Sequence, residues 1–437
     1  MSLEQASGRF RDVARDSLAD GRKQRALDEA TWRLYGHRTE AWAEIDDVQA
    51  LRERGREIRT RTIERLDEHL ATFTAAVVAR GGQVHRAADA EQARALIVEI
   101  SRAAGARTVA KSNSMATEEI ELNAALEAAG IRPVETELGE YILQLAGEHP
   151  VHIVAPAIEK TAEQVAELFS KVEGRPVSAE LVELARVARR QLRRAFHDAE
   201  VGVTGANFAV AETGTICLVT NEGNGRLVSA LPRVHIALLG MERLVPTLPE
   251  LSVLLKLLAR SATGQRLTTY TTLITGPRRE GETDGPEELH VVIIDNGRGR
   301  IRGTRYAEML NCIRCGACLN VCPIYRKAGG GAYGPVYSGP MGAVLVPLLA
   351  RLEEAPALPH ASSLCGACTD ACPVKIPLHE LLLDLRADLV DQHVASRLER
   401  LGFTLWSYAW SSPLGYRIST RLGRLGQPFG ALAGPGR

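Results

Sequence analysis

The stretch CIRCGACLNVCP, residues 312–323, decides the fold of the last part of this chain. Its cysteines follow the spacing C-x2-C-x2-C-x3-C, at Cys312, Cys315, Cys318 and Cys322. In bacterial ferredoxins this spacing places three thiolates around one iron–sulfur cluster and directs the fourth to a neighbouring cluster. Gly316 lets the backbone approach a cluster closely, and Pro323 turns the chain away. The stretch therefore predicts a cluster-binding loop.

A second and shorter motif, CGACTDACP, occupies residues 365–373. When it is aligned on the first motif by spacing, Ser362 takes the position of Cys312. Crosswise pairing of two such motifs predicts two ligand sets. Cluster one would bind Cys312, Cys315, Cys318 and Cys372, and cluster two would bind Cys322, Cys365 and Cys368.

Cluster two is thus one cysteine short, and three explanations stay open. A 4Fe–4S cluster could bind Ser362, water or a residue of a partner through its fourth iron. A 3Fe–4S cluster needs only three thiolates. Alternatively, Cys217 could fold in as a distant ligand, although its position between two apolar residues is more typical of a buried small side chain.

Zinc is the competing metal for these cysteines. Structural zinc sites use paired C-x2-C knuckles around one tetrahedral ion, whereas the first motif places four cysteines within eleven residues. Neither His360 nor His379 lies at a knuckle spacing. A disulfide framework is also disfavoured, because the cysteines are bunched in a long chain that begins without a secretory signal. An iron–sulfur protein is the better interpretation.

The composition is that of an ordinary globular protein. Of 437 residues, 45% are hydrophobic and 24% are charged, and 53 Lys plus Arg balance 53 Asp plus Glu. This balance creates no overall field for nucleic acid or an anionic membrane, so neither is an expected partner. No apolar run approaches the ~20 residues of a membrane-spanning helix. We expect a cytoplasmic protein with at most peripheral membrane contact, through partners or a surface patch.

Apolar runs alternate with helical stretches in the middle of the chain, which predicts an α/β fold with a mostly parallel sheet. Strands are predicted at residues 108–110, 151–154, 208–210, 216–219, 234–239, 268–274 and 291–294, and helices at 52–78, 117–129, 161–172, 178–198 and 378–394. The chain divides into four predicted parts: an N-terminal helical region at 1–64, an α/β domain at 65–297, a mainly α-helical two-cluster ferredoxin-type domain at 298–394, and a C-terminal extension at 395–437. We expect a Gly/Arg linker at 298–302 and a disordered Gly/Pro-rich tail at 423–437.

One candidate ligand loop follows the predicted strand at 108–110. Lys111, Ser112 and Ser114 lie where open α/β sheets bind ligands, at the carboxyl end of a strand and before a helix capped near Thr117. Backbone amides, two hydroxyls and a lysine would suit a carboxylate or a phosphate. The alternative is a polar loop that only caps the helix.

A second polar group lies in Gly-rich turns between apolar strands. It includes Glu212, Thr213 and Asn221. Such turns are also ordinary hairpin chemistry. Taken with the first loop, they predict a polar cleft that could bind a cofactor or a substrate.

Aromatic residues and arginines gather near the C-terminus, at Trp406, Tyr408, Trp410, Tyr416, Arg417, Arg421 and Arg424. This composition is enriched at interfaces. It could dock a partner, touch a membrane surface or pack against the cluster domain.

The order of these features resembles a known family, the iron–sulfur subunit called lactate utilization protein B. The resemblance rests on KSNS at 111–114, ETGT at 212–215, NEGNG at 221–225 and the two cysteine motifs, and it covers roughly residues 65–420. It implies two 4Fe–4S clusters, the second with three cysteines as here. It also implies an α/β domain similar to sugar-phosphate isomerases and CoA transferases, and two partners, lactate utilization proteins A and C.

The resulting hypothesis is an electron-transfer subunit of a complex that oxidises L-lactate to pyruvate and passes electrons to an unidentified acceptor. The chain has no G-x-G-x-x-G after a strand, so we expect no flavin or nicotinamide site of its own. Another 2-hydroxy acid or glycerol phosphate is an alternative substrate. An iron–sulfur sensor or regulator is the alternative outside enzymology, although no helix-turn-helix signal supports DNA binding.

Overall fold

The computed structural model describes residues 9–334, 336–394 and 397–430. The chain forms two compact units, residues 1–383 and residues 384–437. The four-part division proposed from the sequence stays a prediction. In the part of the chain that the structure describes, no helix is both long and apolar enough to span a membrane.

Within the described residues, ten strands form two sheets. They are β1 (Gln83–Ala87), β2 (Thr108–Lys111), β3 (Arg132–Glu135), β4 (Val201–Thr204), β5 (Phe208–Val210), β6 (Thr215–Thr220), β7 (Val234–Gly240), β8 (Leu244–Val245), β9 (Tyr270–Ile274) and β10 (Glu288–Ile294). The larger sheet has the order β1-β10-β7-β4-β2-β3, and all of its pairs are parallel. The smaller sheet has the order β8-β5-β6-β9. The predicted α/β class with a parallel sheet is confirmed.

The larger sheet is buried on both faces, as parallel sheets are. Along β7, Ile236 and Leu238 face one core cluster, whereas Ala237 and Leu239 face a second cluster on the opposite side. This follows from the two-residue period of a strand. Every residue of β7 from Val234 to Gly240 is buried, so its apolar run is continuous instead of alternating.

The described residues also form helices in both compact units. The α-helices are Phe10–Ala19, Gly21–Ala43, Val48–Glu64, Leu66–Ala79, Ala90–Ala103, Met115–Glu119, Leu122–Ala128, Leu138–Ala146, Ala162–Glu173, Leu181–Asp198, Asn224–Ala230, Leu248–Ala262, Arg298–Ile301, Ala317–Val321, Tyr325–Ala328, Gly339–Leu349, Ala367–Ala371, Leu378–Asp391, Arg397–Trp410 and Pro413–Gly430. Short 3₁₀ helices lie at Met241–Arg243, Ala307–Asn311, Gly331–Tyr333, Leu352–Glu354 and Leu358–His360.

The N-terminal helices pack directly on the cysteine motifs. Arg38 donates to the carbonyl oxygen of Ala371 at 3.0 Å, and Arg52 donates to that of Cys372 at 2.7 Å. Arg59, fully buried, donates to the carbonyl oxygen of Leu310 at 3.0 Å. Buried arginines of the N-terminal helices thus hold the backbone around the cysteines.

The predicted helix at residues 117–129 is wrong in its start and its continuity. Two helices occupy the stretch, and Ser114 rather than Thr117 is the N-cap, accepting from the Thr117 amide at 3.3 Å. Glu121 interrupts the helix because its φ is 50°, in the left-handed region. No residue type in the sequence marks this break.

The predicted strand at residues 151–154 is also wrong. His152 orders an irregular turn there, because its Nδ1 accepts from the amides of Val154 and Ala155, both at 3.1 Å. Burial lowers the pKa of His152 to about 4, so the ring is neutral, and its Nε2 lies 3.1 Å from Oδ1 of Asn320. The apolar run packs against the cysteine region instead of joining the sheet.

Two further expectations are corrected. The predicted Gly/Arg linker forms the helix Arg298–Ile301, because Arg298 is buried among carboxylates. The tail expected to be disordered is helical over residues 423–430, as part of Pro413–Gly430, and residues 431–437 lie outside the described residues. The apolar spacing of Ile418 and Leu422 continues a helical period in that segment.

The second compact unit contains the helices Arg397–Trp410 and Pro413–Gly430. Trp410 stacks near Trp406, with ring centroids 5.3 Å apart, and meets Tyr416 edge-on at 5.0 Å. The aromatic residues predicted from the sequence therefore pair within this unit. Their role in docking stays a prediction.

Candidate iron–sulfur sites and an adjoining cavity

The two cysteine motifs have the same backbone conformation at matching positions. Arg314 and Gly316 have φ of 59° and 75°, and Leu364 and Gly366 have φ of 55° and 82°. A short helix follows each loop, Ala317–Val321 and Ala367–Ala371. The loops are therefore structural repeats, and the alignment that places Ser362 opposite Cys312 has structural support.

The cysteines gather in the two sets predicted by crosswise pairing. Cys312, Cys315, Cys318 and Cys372 line one small pocket of about 20 Å³. The other three, Cys322, Cys365 and Cys368, lie near one another. Burial is the largest cause that raises the pKa of Cys368, to about 11, and the neighbouring thiolates of Cys322 and Cys365 raise it as well. Metal binding by these residues stays a prediction, and the geometry supports it.

Backbone amides point at the sulfur atoms, as the amides around iron–sulfur clusters do. The amide of Arg314 donates to Sγ of Cys312 at 3.4 Å, and that of Ile376 donates to Sγ of Cys372 at 3.3 Å. The amide of Tyr325 donates to Sγ of Cys322 at 3.5 Å. Such N–H···S contacts stabilise negative charge on cysteine sulfur and tune cluster potentials.

The donor sets consist entirely of thiols. Among the described residues, no group of three or more Cys, His, Asp or Glu side chains is arranged to hold a single metal ion. Cysteine thiolates are the ligands of 4Fe–4S clusters, so the donor type fits the prediction made from the motif spacing.

Buried positive charge surrounds the predicted cluster-one ligands. Burial raises the pKa of Cys315 and of Cys372 to about 12 each, so their thiolates need positive charge nearby. Iron would supply most of it. Arg38 acts electrostatically on Cys315 and Cys372, and Arg52 acts on Cys372.

The structure bears on the fourth ligand of cluster two. Ser362 follows the first-motif pattern, and its Oγ accepts from the amide of Leu364 at 3.1 Å. Cys217 lies fully buried in β6, opposite Phe208 and Leu273 in the smaller sheet. Burial alone raises the pKa of Cys217 to about 12, and no cysteine contributes to that shift. This placement does not support Cys217 as a ligand.

A cavity of about 290 Å³ lies at the carboxyl ends of the parallel strands β2, β4 and β7, where α/β sheets bind ligands. Its polar lining includes Ser112, Asn113, Ser114, Glu137, Asn207, Thr220, Asn221, Glu222, Asn224, Glu242, Arg243, Thr268, Arg298, Arg314 and Tyr337. Arg314 and Ile153 line both this cavity and the pocket of the cluster-one cysteines. The cavity and the first cysteine loop therefore share a wall.

Of the residues predicted to form a polar cleft, Ser112, Ser114 and Asn221 line the cavity. Lys111 does not. It is fully buried and donates to Oε1 of Glu135 at 2.6 Å. Burial would lower its pKa, but the Glu135 carboxylate and others raise it overall.

Glu212 and Thr213 also lie outside the lining. Glu212 accepts from the amide of Leu248 at 2.8 Å, and Thr213 donates to Thr215 at 2.8 Å. Each side chain is thus occupied in ordering its own turn. Cofactor binding by the predicted set stays a prediction, with three of its six members at the cavity.

The shared wall contains an ion-pair network that was not predicted from the sequence. Arg298 donates to both carboxylate oxygens of Glu119, at 2.8 and 2.7 Å, and to Oε2 of Glu242 at 2.6 Å. Glu242 also contacts Arg314 at 3.3 Å, and Tyr337 donates to Glu119 at 2.6 Å. Arg298 follows the end of a buried strand, which is the one signal the sequence offered.

Electrostatics keep this network ionised despite its burial. Burial alone would raise the pKa of Glu242. The positive charges of Arg298 and Arg314 outweigh this effect and lower the pKa to about 2. Arg243 lies beside them and donates to the carbonyl oxygens of Cys312, at 3.2 Å, and of Asn207. The wall is therefore a fixed array of charges between the cavity and the cysteine loop.

The cavity lining also contains acidic and amide side chains. Burial raises the pKa of Glu137 to about 7, and the Glu222 carboxylate raises it further. Burial also raises the pKa of Glu222. Asn224 is 4% exposed, and neither atom of its amide has a hydrogen-bond partner.

Comparison with known proteins matches both regions. Residues 70–294 match the LUD domain family, and residues 308–376 match the 4Fe-4S dicluster domain family. The fold and the cysteine loops together therefore define an iron–sulfur protein with a LUD domain.

The relatives identify the family more closely. The chain is 48% identical, over 97% of its length and 89% of theirs, to proteins named lactate utilization protein B from Bacillus thuringiensis (strain Al Hakam), Bacillus cereus (strain AH187) and Bacillus anthracis (strain A0248). The chain belongs to the lactate utilization protein B family, and it has an iron–sulfur role in lactate utilization.

A solved structure of a duf162 family protein from Deinococcus radiodurans is more distant. It has 16% sequence identity and a TM-score of 0.29, and the match covers 52% of this chain and 98% of that one. This similarity is too low to support an argument.

Proposed function

We propose that this protein is the electron-transfer subunit of a system that oxidises L-lactate to pyruvate. Lactate utilization proteins A and C are its proposed partners, and an unidentified acceptor takes the electrons. The observation that carries the proposal is the arrangement of seven cysteines in two neighbouring sets, built on repeated loops. Four thiols of one set and three of the other suit two clusters.

The cysteine thiolates would hold two 4Fe–4S clusters, each of which supplies reversible one-electron transfer when bound. Cys312, Cys315, Cys318 and Cys372 would hold cluster one, and Cys322, Cys365 and Cys368 would hold cluster two. The amides of Arg314, Tyr325 and Ile376 orient and stabilise the sulfur atoms. The arginines around Cys315 and Cys372 favour additional negative charge there.

The fourth position of cluster two is proposed to involve Ser362 or a ligand from solvent or a partner. Ser362 lies at the position equivalent to Cys312 in the repeated loop. Its hydroxyl already accepts one amide hydrogen bond, as sulfur does at Cys312. A three-iron centre is the alternative that needs no fourth ligand.

The burial of the thiols suggests which cluster exchanges electrons at the surface. Cys365 is exposed, whereas Cys315, Cys318 and Cys372 are buried. Electron transfer weakens with distance, so an external partner would reach cluster two first. Cluster one, next to the cavity wall, would serve the inner end of the relay.

Anaerobic purification followed by iron and acid-labile sulfide analysis tests cluster binding. About eight irons per chain support two 4Fe–4S clusters, and about seven support one of them with a 3Fe–4S centre. Electron paramagnetic resonance of oxidised and reduced samples separates these cases. Zinc in a colourless protein without labile sulfide would overturn the proposal.

Growth tests the physiological role. A strain that lacks the gene and has no second L-lactate dehydrogenase should fail to grow on L-lactate, and the wild-type gene should restore growth. A gene encoding Cys315→Ala should not restore it, whereas one encoding Cys217→Ala should. Normal growth of the deletion strain would contradict the role in lactate oxidation.

A further inference from the structure

We propose that the cavity of the LUD domain binds a small hydroxylated carboxylate, with its carboxylate at Arg314 and its hydroxyl group near Asn224 and Glu222. The link to L-lactate as the simplest such ligand rests on the proposed function. The site itself rests on the polarity of the cavity. It would place the organic anion next to the first cysteine loop.

Arg314, in the cavity lining, has N–H groups with few strong hydrogen-bond acceptors in the protein. Arg314 contacts one carboxylate oxygen of Glu242, at 3.3 Å. Its other strong neighbours are the Met341 sulfur, at 3.0 Å, and the ring face of Tyr337, 4.4 Å from the guanidinium carbon. A guanidinium has five N–H donors, and a thioether is a weak acceptor. A carboxylate is the acceptor whose geometry matches such a fork.

Three guanidinium groups line the cavity, those of Arg243, Arg298 and Arg314. Arg298 is held by the carboxylates of both Glu119 and Glu242. Within the described part of the chain, Arg314 has one carboxylate contact, to Glu242 at 3.3 Å. Arg314 is therefore a guanidinium with capacity left for the carboxylate of a ligand.

The cavity lining also offers an unpaired polar side chain. Asn224 lines the cavity and is buried, yet both its Oδ1 and its Nδ2 lack partners. A buried amide without partners is destabilising, because it loses its hydrogen bonds to water. A ligand with a hydroxyl group can donate to Oδ1 and accept from Nδ2. Asn224 is therefore an observation, independent of the arginines, that points to a ligand.

The acidic pair also favours a hydroxyl group. Glu137 and Glu222 line the same cavity, and Glu222 already accepts from the amide of Leu138 at 3.3 Å. A carboxylate group of a ligand would be repelled by these side chains, whereas a hydroxyl group can donate to either of them. The raised pKa of Glu137, about 7, means that this glutamate can also accept a proton near neutral pH. The arginines and the glutamates therefore favour different groups of one ligand.

The size of the cavity limits the ligand. At about 290 Å³ it lies near the lower end of the range for small-molecule sites, roughly 300–1,000 Å³. A short hydroxy acid with a few waters fits, and a dinucleotide does not. Arg314 belongs both to the cavity lining and to the first cysteine loop. A bound anion would therefore lie close to the predicted ligand Cys312.

Calorimetric titration of the anaerobically purified full chain, with its clusters, tests this site. The probes are L-lactate, propionate, which lacks the hydroxyl group, and glycerol 3-phosphate. We expect L-lactate to bind at least about tenfold more tightly than propionate, since a site built for a hydroxyl group rejects analogues that lack it. Equal affinity for the two acids, or no binding of either, would overturn the proposal. Tighter binding of glycerol 3-phosphate would indicate that the site binds a phosphate instead of a carboxylate, and this result too would overturn the proposal.

Variants locate the site. Asn224→Ala and Glu222→Gln should each weaken L-lactate binding about tenfold, with unchanged iron content and circular dichroism. Glu127→Gln, an exposed glutamate outside the cavity, is the matched control and should bind like the wild type. If one cavity variant is poorly folded, the other still decides the outcome. Wild-type affinity in a folded cavity variant would contradict the site.

Binding and growth separate this inference from the proposed function. If the deletion strain cannot use L-lactate but the protein binds no hydroxy acid, the function stands and the cavity site falls. If the protein binds L-lactate but the deletion strain grows normally on it, the site stands and the function falls.

Discussion

Arg298 and Glu119 form a buried two-pronged ion pair, with Nη1–Oε1 and Nη2–Oε2 distances of 2.8 and 2.7 Å. The pair connects the segment after β10 with the helix that follows β2. Both side chains are almost completely buried, at 2% and 5% exposure. Because the pair lies behind the cavity wall, it couples the LUD fold to the shape of the candidate ligand site.

Breaking this pair should destabilise the protein strongly. Arg298→Ala leaves Glu119 buried without its cation and removes one of the cations beside Glu242, and the loss of a buried partner costs about 3–5 kcal/mol. The measurement is the free energy of unfolding in urea under anaerobic conditions. Arg302→Ala is the control, because Arg302 pairs with the exposed Asp67 and should cost about 0–1 kcal/mol. Equal losses for the two variants would contradict this account of the pair.

Glu137 should make stability depend on pH. Burial raises its folded pKa to about 7, above the ordinary value of 4.5, so the folded protein holds a proton that the unfolded chain releases. Stability from this group is fully present below about pH 4.5 and is lost as pH rises to about 7, by about 3 kcal/mol. Lowering the pH from 8 to 6 should therefore stabilise the wild type through Glu137, whereas His152 and His235, whose pKa values burial lowers, act in the opposite direction. The effect of Glu137 is the difference in melting temperature between the wild type and a variant without this carboxyl group.

The same scan on Glu137→Gln should lack this stabilisation, because this side chain no longer titrates. Glu127→Gln, at an exposed position, should retain the slope of the wild type. A slope that is identical in all three proteins would exclude Glu137 as its source.

Supplying a thiol at position 362 should complete the ligand set of cluster two. Ser362→Cys places sulfur at the position equivalent to Cys312, so we expect about eight irons per chain and a 4Fe–4S signal in electron paramagnetic resonance. If the wild type holds a three-iron centre, its iron content should rise from about seven. Ser252→Cys, at an exposed position outside the cysteine motifs, is the control and should leave the content unchanged. The same spectrum for all three proteins, with a three-iron signal, would show that position 362 does not face the cluster.

Arg52 should raise the reduction potential of cluster one. Its guanidinium is partly buried and donates to the carbonyl oxygens of Asp370 and Cys372, at 2.9 and 2.7 Å. Arg52→Gln removes a positive charge beside Cys372, so adding an electron becomes less favourable. A loss of about 1.4 kcal/mol corresponds to about 60 mV for one electron.

Redox titration followed by electron paramagnetic resonance measures this shift. Arg54→Gln, on the exposed side of the same helix, pairs only with Glu57 and is expected to leave both potentials unchanged. A cluster-one potential that stays the same in Arg52→Gln, with full iron content, would show that this arginine only holds the backbone.

Local patterns in the sequence predicted much of this molecule. The spacing of Cys312 to Cys322 depends on neighbours along the chain, so the repeated loops and the position of Ser362 could be derived without a structure. Three strands of the larger sheet, β2, β7 and β10, followed from their apolar runs, because both faces of a parallel sheet are buried. The strands β1, β3 and β4 of the same sheet were not predicted. The apolar run at residues 151–154 was wrongly predicted as a strand, because burial by itself does not distinguish a strand from a buried turn.

Tertiary structure decided the cavity and its wall. Lys111 looked like a ligand for an anion, but Glu135, on the neighbouring strand, occupies it. Arg298 looked like part of a linker, but Glu119 and Glu242 bury it. These side chains are distant in sequence, and their charges interact only because the strand ends converge. The sequence by itself determined which residues could bind iron, and the fold determined which charges meet, because electrostatic pairing depends on distance in space.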